Sequence, residues 1–101
     1  KPMEETRMYI VAVNLVVAPE NAAKFEERLK LHAKNSLTQS GCHAFSVSRD
    51  HDAAGSYHLW EVYKDADAFE EHKNADFMAD FREFSGPLVL NRVLATGEGI
   101  V

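Results

Sequence analysis

Four polar side chains stand in apolar surroundings, and their types are those that move protons or hold a substrate oxygen. His32 falls within the stripe Ala22, Phe25, Leu29, His32 and Ser36, at a place that leucine or alanine would fill more simply. A neutral imidazole near pH 7 is able to act as a general base. The structural alternative is a core histidine hydrogen-bonded to a backbone group, or one at the stripe's edge that reaches water. Asn14 interrupts the otherwise apolar run from Met8 to Ala18, and burying its carboxamide unpartnered would cost on the order of 1–3 kcal/mol. Its partner is a substrate oxygen, a neighbouring backbone group or a second copy of the chain. Glu61 lies between Trp60 and Val62 and shares a strand face with Tyr57, Leu59 and Tyr63; an ion pair with Arg92 or Arg49 is the structural account of it. His72 comes one helical turn after Ala68 and so faces the same core-directed side.

The other reactive groups are less suggestive. His51 lies in a polar loop, and His43 and His58 are strand residues. No HxxxH, HExxH or Cys/His cluster has the spacing of metal ligands, so no metal site is expected. The five glycines are scattered and form no phosphate-cradling loop, and no GxSxG elbow marks a nucleophile. Cys42 is the single cysteine; it has no partner in its own chain, and a reducing, cytoplasmic compartment is the expectation. The aromatic residues Phe25, Phe45, Trp60, Phe77, Phe81 and Phe84 are read as mostly core, in a domain small enough to leave a cavity between sheet and helices, lined by a few of them and suited to a flat apolar ligand.

The elements that must position these residues follow from periodicity. A β-branched run over about residues 8–18 reads as a strand and stops at Pro19. Pro19 and Glu20 suit a helix start, and the stripe from Ala22 to Ser36 then gives a long helix closed by Gly41. Residues 42–49 and 57–63 alternate around the turn-forming segment 50–56, which makes a hairpin. Asp65 and Asp67 offer caps for a short helix over Ala68, Phe69 and His72, with Asp67 and Glu70 at capping-box spacing; Asn74 or Asp76 caps the next helix. That helix shows Phe77, Met78, Phe81 and Phe84 on one side and ends at Gly86-Pro87, before a strand over Leu88 to Ala95. The order β-α-β-β-α-α-β is that of an α+β, ferredoxin-like sandwich, an antiparallel four-stranded sheet with helices on one face.

Length and charge bound the answer. The chain of 101 residues amounts to one domain over 8–101, with residues 1–7 as a flexible N-terminal arm. With 46% hydrophobic residues the chain has the means to form a core. A net charge of −5 argues against a nucleic-acid partner, which needs clustered positive charge. No apolar run approaches the ~20 residues of a membrane helix. The first and third strands are apolar on both faces, Ile10, Ala12 and Val16 opposing Val11, Val13 and Leu15. Helices protect one face, so a homodimer through the sheet faces is expected.

These pieces together resemble a known family. Val13-Asn14-Leu15, the helix from Phe25 to Ser36, Ser40-Gly41-Cys42-His43, Trp60-Glu61-Val62-Tyr63, and Ala68-Phe69-Glu70-Glu71-His72 leading to Phe77 stand in the order and at the distances of the antibiotic biosynthesis monooxygenase (ABM) domains. The resemblance spans Met8 to about Thr96. It implies a dimeric α+β barrel with its pocket between sheet and helices, and oxygenation of quinols or polyketide aromatics by O₂ without metal or flavin. One branch, similar in Tyr63-Lys64-Asp65, His72-Lys73 and Gly86-Pro87, isomerises a small phosphorylated hydroxyketone of quorum-signal processing. A haem-degrading branch uses an Asn, a Trp and a His; Asn14 matches the first, but Tyr63 and Phe81 occupy the other two places.

The resemblance therefore implies a monooxygenase without a cofactor, acting on a small aromatic or quinol. His32 or His72 would take the substrate's proton; Asn14, Trp60, Glu61 and Tyr63 would contact and orient it; Phe77 and Met78 would exclude water. In the isomerase alternative the same base moves a proton between neighbouring carbons, and Lys73, Arg49 or Arg92 holds the phosphate. A non-catalytic dimer that binds a small apolar molecule or a protein partner is the third reading.

Overall fold

Alternation along the first strand decides how the sheet is placed. The computed structural model describes residues 7–101, and in it β1 (Tyr9–Val17) buries Val11, Val13, Leu15 and Val17 while the residues between them stay half-exposed. Successive side chains of a strand point to opposite faces, so one face of β1 is fully covered and the other is not. The expected arm at residues 1–7 lies outside the described residues except for Arg7, which pairs with Glu98 at 3.4 Å.

β1 sits at the centre of an antiparallel sheet of order β2-β3-β1-β4, with β2 at Cys42–Arg49, β3 at Ser56–Tyr63 and β4 at Val89–Glu98. Asn14 lies opposite His58 on β3 and Val93 on β4. β4 runs beyond Ala95, where the sequence pattern ends it, because Tyr9 and Ile10 still offer paired backbone opposite Glu98 and Gly97. The antiparallel sheet with helices on one side is the ferredoxin-like α+β arrangement that the element order suggests.

Pro19 opens a 3-10 turn, Pro19–Asn21, that leads into α1 (Ala22–Ser36). As its stripe requires, α1 buries Phe25, Leu29, His32 and Ser36. α2 (Ala66–Lys73) is capped by Asp65, whose carboxylate accepts from the Ala68 N–H at 2.9 Å. Asp67 is thus a first-turn residue and the capping box with Glu70 does not form; the extended backbone of Asp65 is what aims its side chain at the helix. α3 (Asp76–Ser85) starts without a side-chain cap, Asp76 being its first residue and Asn74 closing α2. The negative charge of Asp76 still suits a helix N-terminus.

Phe25 and Leu29 of α1, Phe69 of α2 and Phe81 of α3 meet the covered face of β1 and β3 in the core. The opposite face, with Ala12, Asn14, Trp60, Val93 and Ala95, carries no helix, and Trp60 is 53% exposed. Among the described residues no helix is long and apolar enough to cross a membrane.

The β2–β3 connection closes on Gly55, whose φ is +86° and whose carbonyl accepts from the Val17 N–H at 2.8 Å. A Cβ there would lie 2.2 Å from the Val17 carbonyl oxygen. Gly55→Ala is therefore expected to lower unfolding free energy by roughly 1–3 kcal/mol or more, through strain and clash together. Urea denaturation of the two proteins checks this, and equal stability would show that the loop adopts another turn.

Candidate active site

The helices stop short of β4, and a cavity of about 590 Å³ opens between them and the sheet. A volume of that size suits a small organic ligand. Val11, Val13 and Leu59 form its sheet wall, with Phe69, Met78 and Phe81 on the helix side. Into this apolar lining project three titratable groups: His32 from α1, His72 from α2 and Glu61 from β3. Lys73, Arg82 and Arg92 bring positive charge to the same cavity.

His32 is held by aromatic packing. Its ring stacks on Phe81 at 4.2 Å between centroids and meets the rings of Phe45 at 5.4 Å and His72 at 5.7 Å edge-on. No hydrogen bond from its ring is formed among the described residues, so the backbone-bonded core histidine is not what the fold contains. Burial, reinforced by the charges of His72 and Arg28, holds the His32 pKa down to about 4. His72 is likewise held at about 4, by burial and then by the charge of Arg82. Its Nδ1 lies 2.9 Å from Gln39 Oε1. With that oxygen as acceptor Nδ1 donates, which leaves Nε2 of the neutral ring as an acceptor. Both imidazoles are thus uncharged near pH 7.

Glu61 departs in the opposite sense. Burial raises its pKa from 4.5 to about 7, against the lowering effects of a hydrogen bond from Tyr63 and the charge of Arg92. The Tyr63 hydroxyl donates to Glu61 Oε1 at 2.6 Å. Burial and the neighbouring carboxylate in turn push the Tyr63 hydroxyl far above its ordinary range, so it stays a donor. Arg49 is not a partner of Glu61: it forks onto Glu26 at 2.6 and 2.8 Å on the outer surface.

Of the residues singled out in the sequence, His32, His72, Glu61 and Met78 line one cavity. Tyr63 and Phe77 stand behind them, Tyr63 holding Glu61 and Phe77 meeting the rings of His32 at 5.7 Å and His72 at 5.8 Å. Asn14 and Trp60 are not brought to this group, because their even-numbered strand positions face the uncovered side of the sheet. The polar demand of Asn14 is met there by Ser56 Oγ and the Tyr57 carbonyl, each 3.0 Å from Nδ2. His58 lies on that side as well, 2.8 Å from Asp50. Arg82 and Phe69 are cavity residues that the sequence analysis did not single out for a site. Arg82 follows Met78 by one turn of α3, and that spacing was the available signal. Among the described residues no three His, Cys, Asp or Glu side chains converge as metal ligands.

Comparison with known proteins then gives a consistent result. The family model described as antibiotic biosynthesis monooxygenase matches residues 8–83, well over half of the chain. A structure from Caulobacter crescentus, a proposed antibiotic biosynthesis monooxygenase, aligns at 28% identity with a TM-score of 0.86 and covers 95% of this chain and 92% of its own. Another proposed member, from Nitrosomonas europaea, aligns at 19% identity and TM-score 0.89, covering 98% and 96%. A Bacteroides thetaiotaomicron protein of unknown function aligns at 20% identity and TM-score 0.87, covering 93% and 99%. No curated protein sequence matches the chain.

The three buried groups make stability depend on pH in a definite way. The imidazoles titrate near 4 when folded and near 6.5 otherwise, so their contribution is present above 6.5 and lost as pH falls toward 4. Glu61 titrates near 7 when folded and 4.5 otherwise, so its contribution is present below 4.5 and lost as pH rises toward 7. Two groups outweigh one, and unfolding free energy is expected to climb from pH 4 to about 6.5 and then level or fall. In Glu61→Gln the climb should steepen, gaining on the order of 3 kcal/mol relative to the native chain between pH 4 and pH 8. Denaturant titrations across that range measure both curves; parallel curves would show that Glu61 titrates normally.

Proposed function

The chain belongs to the antibiotic biosynthesis monooxygenase family, and we propose that its cavity binds a small aromatic or quinol substrate and oxygenates it with O₂, without a resident cofactor. The observation that carries this reading is the pairing of two uncharged imidazoles, His32 and His72, on the helix side of the cavity, against the apolar side chains of Phe69, Met78 and Phe81.

Such a reaction needs little machinery. A neutral imidazole takes the proton of an acidic C–H or O–H, and the substrate anion that remains is electron-rich enough to give an electron to O₂ and recombine with it. The C–H becomes a C–OOH, which loses water to leave a carbonyl. Imidazoles held near 4 by burial are weak bases on their own. A substrate anion forming beside the imidazolium supplies the opposite charge that burial removed, and Coulomb attraction is strong where water is excluded. Phe81 stacked on His32 and Met78 beside it serve as the water-excluding wall.

A specific observation favours a second reading. Lys73, Arg82 and Arg92 line the same cavity, and a phosphorylated hydroxyketone would find its counter-charge there, its isomerisation needing the same proton transfer and no O₂.

The partner proposed is a second copy of the chain. The uncovered sheet face presents Trp60, Val93, Ala12 and Ala95 to solvent, and an apolar face of this kind is stable when another covers it.

Two outcomes follow. Purified protein should consume O₂ with quinols or anthrone-like aromatics, and His32→Ala or His72→Ala should lower the rate by roughly 10²-fold or more. Uptake unchanged in both variants would remove the imidazoles from the chemistry, and no uptake with any aromatic would favour the phosphorylated substrate. The native chain should sediment as a dimer, and Trp60→Asp should shift it toward monomer; a native monomer at micromolar concentration would refute the pairing.

A further inference from the structure

The mechanism above removes a proton from one wall of the cavity and leaves unused the carboxyl on the other. We infer that Glu61 is the general acid of this cavity: fixed by Tyr63 on the sheet wall, it gives a proton to the substrate after an imidazole on the helix wall has taken one. The inference rests on the proposed substrate site and assigns a second catalytic residue to it.

The geometry gives Glu61 one anchored and one available oxygen. Oε1 accepts from the Tyr63 hydroxyl at 2.6 Å. Oε2 has no protein donor among the described residues, yet no buried polar side-chain atom among them lacks a partner. Oε2 therefore opens on the cavity that Glu61 lines. A carboxyl with one oxygen clamped by a donor and the other facing a ligand space is oriented for proton transfer, since the second oxygen is the one that carries the proton.

The groups that face Glu61 come from every neighbouring element. They are His32 of α1, His72 and Lys73 of α2, Arg82 of α3 and Arg92 of β4 across the cavity, with Cys42 of β2 close enough to feel its charge. Arg92 favours the carboxylate, but burial outweighs it and sets the pKa at about 7. Near neutral pH a large share of Glu61 is thus protonated while both imidazoles are neutral, each with one ring nitrogen free to accept a proton. Titratable groups driven apart in this way divide into acid and base.

Atoms and charges balance over the cycle. An imidazole accepts the substrate's C–H proton, and the electron pair stays on carbon. O₂ adds to that carbanion and forms a peroxide anion. The Glu61 O–H bond then breaks, its pair remaining on the carboxylate, and the proton goes to the terminal peroxide oxygen. The imidazolium then loses its proton to solvent and the carboxylate takes one from it, restoring both groups. Without O₂ the proton from Glu61 goes to carbon instead, so the same pair exchanges the substrate's hydrogen with solvent.

That exchange separates this inference from the oxygenase reading. Anthrone is followed with the native chain, Glu61→Gln and Tyr63→Phe, by oxygen uptake in air and by deuterium incorporation at its acidic carbon in anaerobic D₂O. Gln at 61 still accepts from Tyr63 and so preserves the fold, which circular dichroism checks. Glu61→Gln should lower both rates by roughly 10²-fold or more. The native pH profile should fall as pH rises through about 7. In Tyr63→Phe the falling limb should move to higher pH, because the hydrogen bond that favours the carboxylate is gone. Exchange that is lost in Glu61→Gln with no oxygen uptake by the native chain would keep Glu61 as the acid and discard oxygenation. Rates within threefold of native in Glu61→Gln, a limb unmoved in Tyr63→Phe, or a native profile rising through 7 would overturn the assignment. A native chain that accelerates neither reaction would overturn it together with the substrate site.

Discussion

The three helices of this chain do not cover the whole of its four-stranded sheet, and where their cover ends determines everything else in this molecule. They seal β1 and β3 and leave β4 uncovered, so the core is closed around Phe25 and Leu29 and open beside Leu94 and Arg92. The gap is the cavity. On the far side of the sheet no helix packs at all, which leaves Trp60 and Val93 in solvent. Packing at organic-crystal density is the rule inside a domain, so an apolar space of this size next to the core costs stability and persists only where something fills it.

Burial without full pairing is what gives the cavity its chemistry. The same low-polarity lining lowers the affinity of His32 and His72 for protons and raises that of Glu61, because in each case it penalises the charged form. Opposite shifts from one cause make the three groups consistent with one another: near neutral pH both imidazoles are uncharged and a large share of Glu61 is protonated. Arg92 and Tyr63 temper the effect on Glu61 and keep its pKa close to neutrality rather than far above it. Phe in place of Tyr63 would fill the same space but leave Oε1 without a donor, which is a physical reason for a hydroxyl on the largest fully buried side chain of the core.

Much of this was legible in the residues. The stripe Phe25, Leu29, His32, Ser36 fixed the inward face of α1, and odd-even alternation in β1 and β3 told which residues share a face. Glu61 was recognisable as a companion of Tyr57, Leu59 and Tyr63 for that reason. The same alternation argued against grouping Asn14 and Trp60 with His32, since Asn14 stands between Val13 and Leu15 and must face away from them. Resemblance to a family drew the two into one site; parity separates them. What the sequence did not carry was the reach of the helices. Whether α3 covers β4 depends on how the Gly86-Pro87 turn and the Val16/Val17 bulge set the final strand, and those are tertiary features without a local signature.

β4 links the two proposals physically. Its even positions, Arg92 and Leu94, line the cavity, and its odd positions, Val93 and Ala95, belong to the uncovered sheet face. It is an edge strand paired only with β1, and its side chains are exposed along nearly all its length. An edge strand held from one side is the element of a sheet most easily displaced. A second copy packed on Val93 and Ala95 would press the strand into place and so fix Arg92 at the cavity, where it sets the charge felt by Glu61. Loss of the dimer would then change proton affinity inside the cavity, through the alternation of a single strand.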